Sequence, residues 1–558
     1  MKTLFHKIKI TVMVLALFSS NACNDFLKEE PRGLIMNDLA FSQASDLVGA
    51  LNALNRQVLM ANKGFLNFHP WVQGDDLSTH PLRSKAPIRE WDVMKVSDEN
   101  PDMIKDTSSW YWLWKVIKAA NYILNGADKT PDVSQNEINF VKGQAYYWRA
   151  YCYFYLVRVW GPVPMILTGD VDVSIKVSKV SEILNLIVSD LQEAEKLPAN
   201  YTASPWAMNG VNVVVNSGAA KASLAYVYLC MAGWPLNYGT EYYQKAAAKA
   251  EEVIDGVKNG TYYYQLYPEY KWIHSKRENL KNKEVILAVW YSSVTGTGDN
   301  SQSGRGCIND ILNVSGGYND CRSELAFYCD FPEGDRKEWT FAPVTYYVAK
   351  GKAFPFWSEE IPEDQQYPYF RKTAFTSWGN AYSNEEYDHY RGFEEQSNGW
   401  STQLHQVVRL AEVYCWYAEA VGRSGKVTQK AVDVLNEVRN RANGVSVTER
   451  DIYPSGMTPN ALAEAAYNEH GWEIGGWWCG SIAPRYSDQQ RMNRVKDHYN
   501  RRYSNPEYII PNSGGVILKE AFNPVEPWSD LKMYAPYPAT DVRMNQNLKN
   551  INKFELIK

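Results

Sequence analysis

The amino-acid sequence predicts an all-α-dominated fold, in which tetratricopeptide-like helix pairs form a scaffold with long loop-rich insertions and minimal sheet. Apolar residues recur at every third or fourth position through several long stretches, which is the period of an α-helix. These stretches come in pairs of roughly 35 to 40 residues, with small residues at the expected contact between the two helices. Only one short run, at 285–290, has the composition of a strand.

The first helix pair is predicted in the first third of the chain. Its first helix has apolar residues at Leu113 and Ile117, four positions apart. Its second helix, Val141–Val159, has two apolar stripes, and a helix that is apolar on two faces must be surrounded by other elements. The glycine and prolines of Trp160–Pro164 cannot continue this helix, so it ends there.

The same two-helix pattern returns twice. The second pair is predicted at 218–253, where small residues recur on one face, and the third at 410–438, which is closed by Asn443 and Gly444. Between and after the pairs lie long insertions, rich in turn residues and aromatic side chains, at about 62–108, 256–405 and 445–530. The repeats therefore predict a helical scaffold whose insertions form the loops.

The N-terminus has the pattern of a bacterial lipoprotein signal peptide, residues 1–22. Three lysines precede the apolar run Ile10–Phe18, which is too short to span a bilayer. A small residue directly before Cys23 suits a peptidase that leaves this cysteine lipidated; the alternative is an ordinary secretory signal in which Cys23 is incidental. We expect a single domain over 23–558, because no linker composition marks a boundary and no later window is apolar enough for a spanning helix.

Composition narrows the range of partners. The net charge is −5 and no basic stripe is present, which argues against nucleic acid and anionic lipid surfaces as partners. The aromatic content is high, at 14%, with 20 Trp and 38 Tyr. Aromatic side chains fill cores, but exposed Trp and Tyr faces also stack on sugar rings, and composition alone does not choose between these uses.

The cysteines do not form the pattern of a disulfide framework. Eight are present, and lipidation of Cys23 leaves an odd number at irregular spacings. Cys307 and Cys321 could pair with each other in an oxidising compartment. Three others lie in helical patterns and are interpreted as buried apolar residues: Cys152, Cys230 and Cys415.

No catalytic motif stands out in the sequence. The eight histidines are scattered, without a His-Glu-x-x-His zinc pair, a Gly-x-Ser-x-Gly elbow or a Walker phosphate loop. Carboxylates are too numerous for a glycosidase pair to be excluded by counting, although Asp75–Asp76 and Asp388–His389 are interpreted as loop charges or caps. Gly298–Asn300 could offer oxygen ligands to calcium, but it lacks EF-hand spacing and is interpreted first as a turn, so no cofactor is predicted.

Six stretches of the sequence together carry a resemblance to a known family. They are Cys23–Leu27, Trp114–Asn121, Gly143–Pro164, Phe331–Arg336, Val408–Ala420 with Leu435–Arg439, and Ala535–Pro538 with Asn545–Leu548. In this order, and over essentially the whole mature chain, they resemble the SusD/RagB outer-membrane lipoproteins of Bacteroidetes. The resemblance implies a SusD-like fold.

The resemblance has one departure near the C-terminus. Here the family usually carries a charged helix in which glutamates and an arginine precede a Trp and an Asp. In this chain Asn468–Ile474 leads into Gly475–Gly480, and the Asp is missing. We expect this departure to affect local helix packing and not the fold. Three tryptophans of the stretch are interpreted as core residues: Trp472, Trp477 and Trp478.

The resemblance implies binding without catalysis. SusD-like proteins sit at the cell surface on a SusC-like TonB-dependent transporter and deliver captured oligosaccharides, or in some branches peptides, to its barrel. The family places its ligand contacts in loops on one face, chiefly in the first insertion and before the Gly-Asp-Arg stretch. In this chain those regions and the neighbouring loops offer Arg83, Trp91, Tyr291, Tyr318, Asn319, Trp357 and Trp378. Trp91 is flanked by Arg89 and Asp92, which adds the polar groups that bind vicinal hydroxyls.

The expected protein is therefore a lipid-anchored, surface-exposed glycan-binding subunit of an outer-membrane uptake complex. A peptide-binding member of the same family is the alternative. A surface lipoprotein glycoside hydrolase would share the anchor and the aromatic residues, but it would lose activity when one carboxylate pair is changed. A helical-repeat adaptor would share the scaffold, but it would bind protein tightly and no glycan. The sequence does not identify the glycan.

Overall fold

The computed structural model describes most of the chain after residue 40. The described residues are 41–62, 74–80, 86–106, 108–169, 172–200, 212–274, 282–290, 321–347, 350, 352–370, 372, 404–476, 481–520, 522 and 526–558. Helices dominate these residues, and the predicted fold class is confirmed. None of the helices described there combines the length and the apolar character that crossing a membrane requires.

The elements are named in chain order. The helices are α1 (Ala44–Ala61), α2 (Ala86–Asp92), α3 (Pro101–Ile104), α4 (Ser109–Gly126), α5 (Gln135–Val159), α6 (Val180–Ala194), α7 (Ser217–Ala232), α8 (Thr240–Lys258), α9 (Leu325–Asp330), α10 (Asp335–Thr340), α11 (Leu410–Arg423), α12 (Gln429–Ala442), α13 (Pro459–Ile474), α14 (Arg485–Arg491), α15 (Val495–Tyr503) and α16 (Ala539–Met544). The strands are β1 (Ser78–Thr79), β2 (Val285–Val289), β3 (Arg322–Ser323), β4 (Phe341–Ala342), β5 (Val344–Tyr347), β6 (Lys352–Pro355), β7 (Tyr369–Phe370), β8 (His405–Arg409), β9 (Glu507–Ile509) and β10 (Ile517–Lys519).

The three predicted helix pairs are present as α4–α5, α7–α8 and α11–α12. Helix α5 begins with a capping box, in which the Ser134 hydroxyl accepts from the Glu137 amide and the Glu137 carboxylate accepts from the Ser134 amide. It packs against α4 on one side and α6 on the other, which explains its two apolar stripes. Because α6 also packs on α7 and α8 packs on α11, the pairs form one continuous stack.

The third insertion is not the loop-rich stretch that the sequence predicted at 445–530. It contains three helices, α13, α14 and α15, and α13 packs along α11. Leu462 and Ala466 of α13 are buried, but Glu469 and Glu473 of the same helix are buried as well. Because its buried surface mixes apolar and charged side chains, α13 lacks the apolar period that marks the other scaffold helices.

Among the described residues, strands form only two-stranded antiparallel sheets. The strand predicted at 285–290 is β2, and it pairs with β8 so that Val289 lies opposite His405. Every residue of both strands is buried. Since β8 leads directly into α11, this pair attaches the second insertion to the third helix pair.

The cysteines in helical patterns occupy the positions that the sequence predicts. Cys152 and Cys415 are buried in α5 and α11, and Cys230 is partly buried in α7. Cys307 lies outside the described residues, so its pairing with Cys321 stays a prediction.

Candidate functional site

Five buried charged residues hold α13 against the rest of the fold. Glu473 accepts hydrogen bonds from three guanidinium groups, at 2.9 Å from Arg336, 2.8 Å from Arg409 and 2.7 Å from Arg441. Glu284 accepts from Arg409 at 2.9 Å and from Arg441 at 2.8 Å. All five side chains are at most 2% exposed. We call these residues, Glu284, Arg336, Arg409, Arg441 and Glu473, the Glu473 network.

The Glu473 network gives the Phe331–Arg336 stretch a structural role. Gly334 has a φ of 139° and lies against the carbonyl oxygen of Ala442, where a Cβ would come within 3.1 Å. This turn brings Arg336 beside α13. Burial alone would raise the pKa of Glu473, but the guanidinium groups of the network outweigh burial and hold the pKa well below its usual range.

His470 lies on the same helix and contacts an aspartate from further along the chain. Its Nδ1 is 2.6 Å from Asp488 Oδ2, and its Nε2 is 3.5 Å from Glu412 Oε2. Burial alone would lower the pKa of His470, but Asp488 and Glu412 outweigh burial and raise the pKa to about 9. Asp488 of α14 thus binds α13 from a neighbouring helix.

A cleft of about 620 Å³ is lined by residues of α9, α13, α14, α15 and β9. We call it the α13 cleft. Its aromatic side chains are Phe327, Tyr467, Trp472 and Tyr508. It also includes Asp76 of the first insertion and Asp330, which precedes the Gly-Asp-Arg stretch. These are the two regions in which the family resemblance places ligand contacts.

Two arginines cover the ring of Tyr467 in the α13 cleft. The guanidinium carbons of Arg485 and Arg494 lie 4.0 and 4.4 Å from the ring centroid. Arg485 donates to both carboxylate oxygens of Asp76, at 2.8 and 3.1 Å. Arg494 donates to both oxygens of Glu464, at 2.7 and 2.8 Å. Ion pairs and cation–π contacts together fix the position of this stack.

Two polar atoms of residues that line the α13 cleft have no hydrogen-bond partner in the part of the chain that the structure describes. They are the hydroxyl of Tyr467 and Oε1 of Gln489, and the two residues are only 2% and 1% exposed. Buried polar atoms in folded proteins are nearly always hydrogen-bonded. The cleft therefore has hydrogen-bonding capacity that the described protein groups do not use.

Trp472 is partly exposed in the α13 cleft. The guanidinium carbon of Arg439 lies 5.0 Å from its ring, and the ring of Phe331 is 6.5 Å away. The prediction of a core position is thus only partly correct for Trp472, while Trp477 and Trp478 lie outside the described residues. An aromatic face beside amide and guanidinium groups is the combination that binds a sugar ring.

Comparison with known proteins identifies the family. Residues 70–229 match a family model described as starch-binding and associating with the outer membrane, and residues 283–554 match the SusD family model. The chain belongs to the SusD/RagB family. SusD-like protein P2 of Formosa agariphila is 25% identical over 453 residues, which are 78% of this chain and 81% of the relative.

Solved structures of SusD-family proteins have a similar fold. A SusD homolog from Bacteroides thetaiotaomicron has a TM-score of 0.72 at 18% identity, over 93% of this chain and 98% of the homolog. Surface glycan-binding protein A from the same species, in complex with laminarihexaose, has a TM-score of 0.64 at 16% identity, over 92% of this chain and 100% of that protein. At these identities the likeness establishes the fold.

Trp91, the aromatic residue that the sequence favoured for the site, lies in the core. Its side chain is 0% exposed, and its indole nitrogen donates to Asp102 Oδ2 at 3.1 Å. Of its flanking residues, Asp92 is bound by Arg89 and also accepts from Arg502 at 3.0 Å. The burial of Trp91 contradicts its selection as an exposed stacking face, because α2 packs this ring inward.

Of the other sequence-predicted ligand contacts, the structure describes Trp357. Trp357 is partly buried and packs edge-on against Phe356, with ring centroids 4.9 Å apart, and it does not line the α13 cleft. The remaining predicted ligand contacts and the lipid-attachment residue lie outside the described residues: Arg83, Tyr291, Tyr318, Asn319, Trp378 and Cys23.

Asp75 caps a turn, as the sequence predicts, whereas Asp76 is bound in an ion pair that the sequence did not predict. Asp75 Oδ1 accepts from the amides of Leu77 and Ser78 at 3.0 and 2.8 Å, and Asp76 binds Arg485. Burial raises the pKa of Asp75 to about 8. Asp388–His389 and Gly298–Asn300 lie outside the described residues. Within the described ranges, no group of three or more His, Cys, Asp or Glu is arranged to hold a metal ion.

Sequence reasoning missed Tyr467, Asn468 and Tyr508, because they come from the third insertion and not from the two regions that the resemblance favours. A signal was present in α13. Tyr467 and Gly471 are four residues apart, and so are Asn468 and Trp472, which places all four on neighbouring positions of one helix face. An aromatic pair, an amide and a glycine on one face indicate a surface with room for a ligand.

Proposed function

We propose that this SusD/RagB-family protein is a cell-surface glycan-binding lipoprotein. In this proposal it captures oligosaccharides, delivers them to a SusC-like TonB-dependent transporter of the outer membrane, and catalyses no reaction. The observation that carries the proposal is the α13 cleft, which combines partly exposed Trp472 and Tyr508 with polar groups. A neighbour of the same fold that binds laminarihexaose supports a glycan as the ligand class.

In the cleft, we expect the ring of Trp472 to stack on the apolar face of a sugar. Asn468 and Arg494 line the same cleft and can donate hydrogen bonds to sugar hydroxyls. Arg439 lies over the Trp472 ring at 5.0 Å, so the ring is positioned before the ligand arrives. A central aromatic anchor of this kind contributes about 2 kcal/mol to binding, or roughly thirtyfold in affinity.

The proposal also includes the lipid anchor and the predicted ligand contacts in the loops. Residues 1–22 would be removed, Cys23 would carry the lipid, and residues 23–558 would form one domain outside the membrane. The remaining sequence-predicted contacts would extend the binding surface beyond the α13 cleft: Arg83, Tyr291, Tyr318, Asn319, Trp357 and Trp378.

Affinity electrophoresis tests the proposal. The soluble protein, beginning at Asn24, is run through gels that contain single polysaccharides, beside the variants Trp472→Ala and Trp112→Ala. Trp112 is a partly exposed tryptophan of α4 that does not line the cleft, so it is the matched control. We expect at least one glycan to retard the wild type and Trp112→Ala, and Trp472→Ala to lose most of this retardation.

Other outcomes separate the alternatives. Retardation that Trp472→Ala retains in full would support glycan binding but reject the α13 cleft as its site. Retardation by no glycan would favour the peptide-binding alternative. Release of reducing ends from a retarding polysaccharide would favour the glycoside hydrolase.

A further inference from the structure

The cationic groups of the α13 cleft are already paired with carboxylates of the protein. Arg485 is bound by Asp76, and Arg494 is bound by Glu464. On α15, Arg501 donates to Glu324 at 2.6 Å, and the ring of His498 lies 3.0 Å from the same carboxylate. Each of these arginines is held in an ion pair within the protein, although Glu324 also binds Arg502 and Glu464 also binds Arg423.

Two carboxylates of the cleft have no such partner. Asp330 and Asp497 both line the α13 cleft and are exposed. Neither of them has an ion pair or a side-chain hydrogen bond to any residue that the structure describes. Asp330 ends α9 and Asp497 lies on α15, so the two carboxylates come from different elements of the lining. Both of the exposed carboxylates in the lining therefore stay unpaired within the part of the chain that the structure describes.

The unpaired polar atoms under the cleft give independent evidence on the ligand. The Tyr467 hydroxyl can donate one hydrogen bond, and Gln489 Oε1 can accept one. Both residues are more than nine-tenths buried. A site that offers both a donor and an acceptor complements a hydroxyl group, which both donates and accepts, better than it complements a carboxylate or a sulfate, which only accepts.

Building on the proposed glycan-binding function, we propose that the α13 cleft selects uncharged oligosaccharides and discriminates against glycans that carry carboxylate or sulfate groups. An anionic sugar in the cleft meets Asp330 and Asp497, while Arg485, Arg494 and Arg501 are engaged by protein carboxylates. Exposed like charges weaken binding modestly and are screened by salt, so we expect discrimination on the order of five- to tenfold at low ionic strength and less at physiological salt.

Pairs of polysaccharides with one backbone test this inference. The neutral polysaccharide that binds best is compared with its partially carboxymethylated derivative, by calorimetric titration in buffers of low and physiological ionic strength. The test variant is the double substitution Asp330→Asn with Asp497→Asn. The control is Asp132→Asn, an exposed aspartate in the turn before α5. We expect the neutral member to bind more tightly to the wild type and the control, and the affinity ratio of the pair to approach one in the double variant.

The outcomes distinguish this inference from the function on which it rests. Equal or tighter binding of the carboxymethylated member to the wild type overturns the inference and leaves glycan binding in place. An affinity ratio that is the same in the double variant as in the wild type also overturns the inference, because the discrimination then has another source. Failure of every polysaccharide, neutral and charged, to bind overturns the proposed function and this inference together.

Discussion

At the scale of single residues, His470 carries a charge inside the core because carboxylates face both of its ring nitrogens. Asp488 is 2.6 Å from Nδ1, and Glu412 is 3.5 Å from Nε2. Arg491 also binds Asp488, at 2.8 Å, and Arg485 approaches it at 3.7 Å, so this aspartate stays ionised beside the imidazole. The pKa of His470 is therefore about 9, in spite of its burial.

This raised pKa predicts a loss of stability at alkaline pH. In the unfolded chain His470 releases its proton near 6.5, whereas in the folded protein it keeps the proton to about pH 9. The folded state thus binds more protons between these values, and the stabilisation that is complete below pH 6.5 is lost as pH rises to about 9. The loss is on the order of 3 kcal/mol.

Urea unfolding measures this effect. The free energy of unfolding of the wild type and of His470→Gln is determined from pH 6 to pH 9.5. The wild type should lose stability more steeply with rising pH than the variant, because the other titrating groups are common to both proteins. Parallel pH profiles would show that His470 is not charged in the core.

At the scale of elements, a glycine of α11 packs directly against the backbone of α13. A Cβ built on Gly422 would lie 2.6 Å from the carbonyl oxygen of Pro459 and 2.9 Å from the Cβ of Ala463. Backbone cannot move aside as a flexible side chain can. Gly422 therefore sets the distance between the two helices that frame the Glu473 network.

We expect Gly422→Ala to destabilise the protein by about 1–3 kcal/mol, since the added methyl group forces α13 away from α11. Gly49→Ala is the matched control, because Gly49 is exposed in α1 and a Cβ there would meet nothing within 4 Å. The control should gain about 0.5–1 kcal/mol from its higher helix propensity. Thermal unfolding of both variants measures the contrast, and a Gly422→Ala variant as stable as Gly49→Ala would contradict it.

Whether a helix could be predicted from the sequence depends on which residues its buried face contains. Helices α4, α5, α7, α8, α11 and α12 could be predicted because their buried residues are mostly apolar and recur with the helical period. Helix α13 could not, because Glu469 and Glu473 occupy buried positions where the pattern expects apolar residues. A glutamate is buried only where arginines meet it, and those arginines belong to α10, β8 and α12.

At the scale of the whole molecule, the position of the ligand site could also be predicted only in part from the sequence. The resemblance indicated the first insertion and the segment before the Gly-Asp-Arg stretch, and the α13 cleft includes Asp76 and Asp330 from these regions. The resemblance did not show which aromatic residues of these regions are exposed to a ligand. Trp91 has polar sequence neighbours, but Arg502, about four hundred residues later, binds Asp92 and closes that surface. Exposure depends on such distant contacts.

The membrane anchor is also a prediction about the whole molecule. Expressed in its native host, the wild type should partition into the detergent phase of a cloud-point extraction, because the proposed lipid on Cys23 is apolar. Cys23→Ala should move to the aqueous phase, and Cys329→Ala, a partly exposed cysteine of the folded body, should behave as the wild type. Detergent partitioning that survives Cys23→Ala would reject lipidation at this residue.

The Glu473 network also bears on the order in which the chain can fold. Its members lie at 284, 336, 409, 441 and 473, so the last carboxylate emerges only when most of the polypeptide has been made. Before then Arg336 lacks both of its carboxylate partners, Glu469 and Glu473, and burying a guanidinium group without a carboxylate is unfavourable. The C-terminal half therefore closes late. For a protein that is exported as proposed, an interior that closes only after residue 473 leaves the earlier part of the chain open for threading through an export channel.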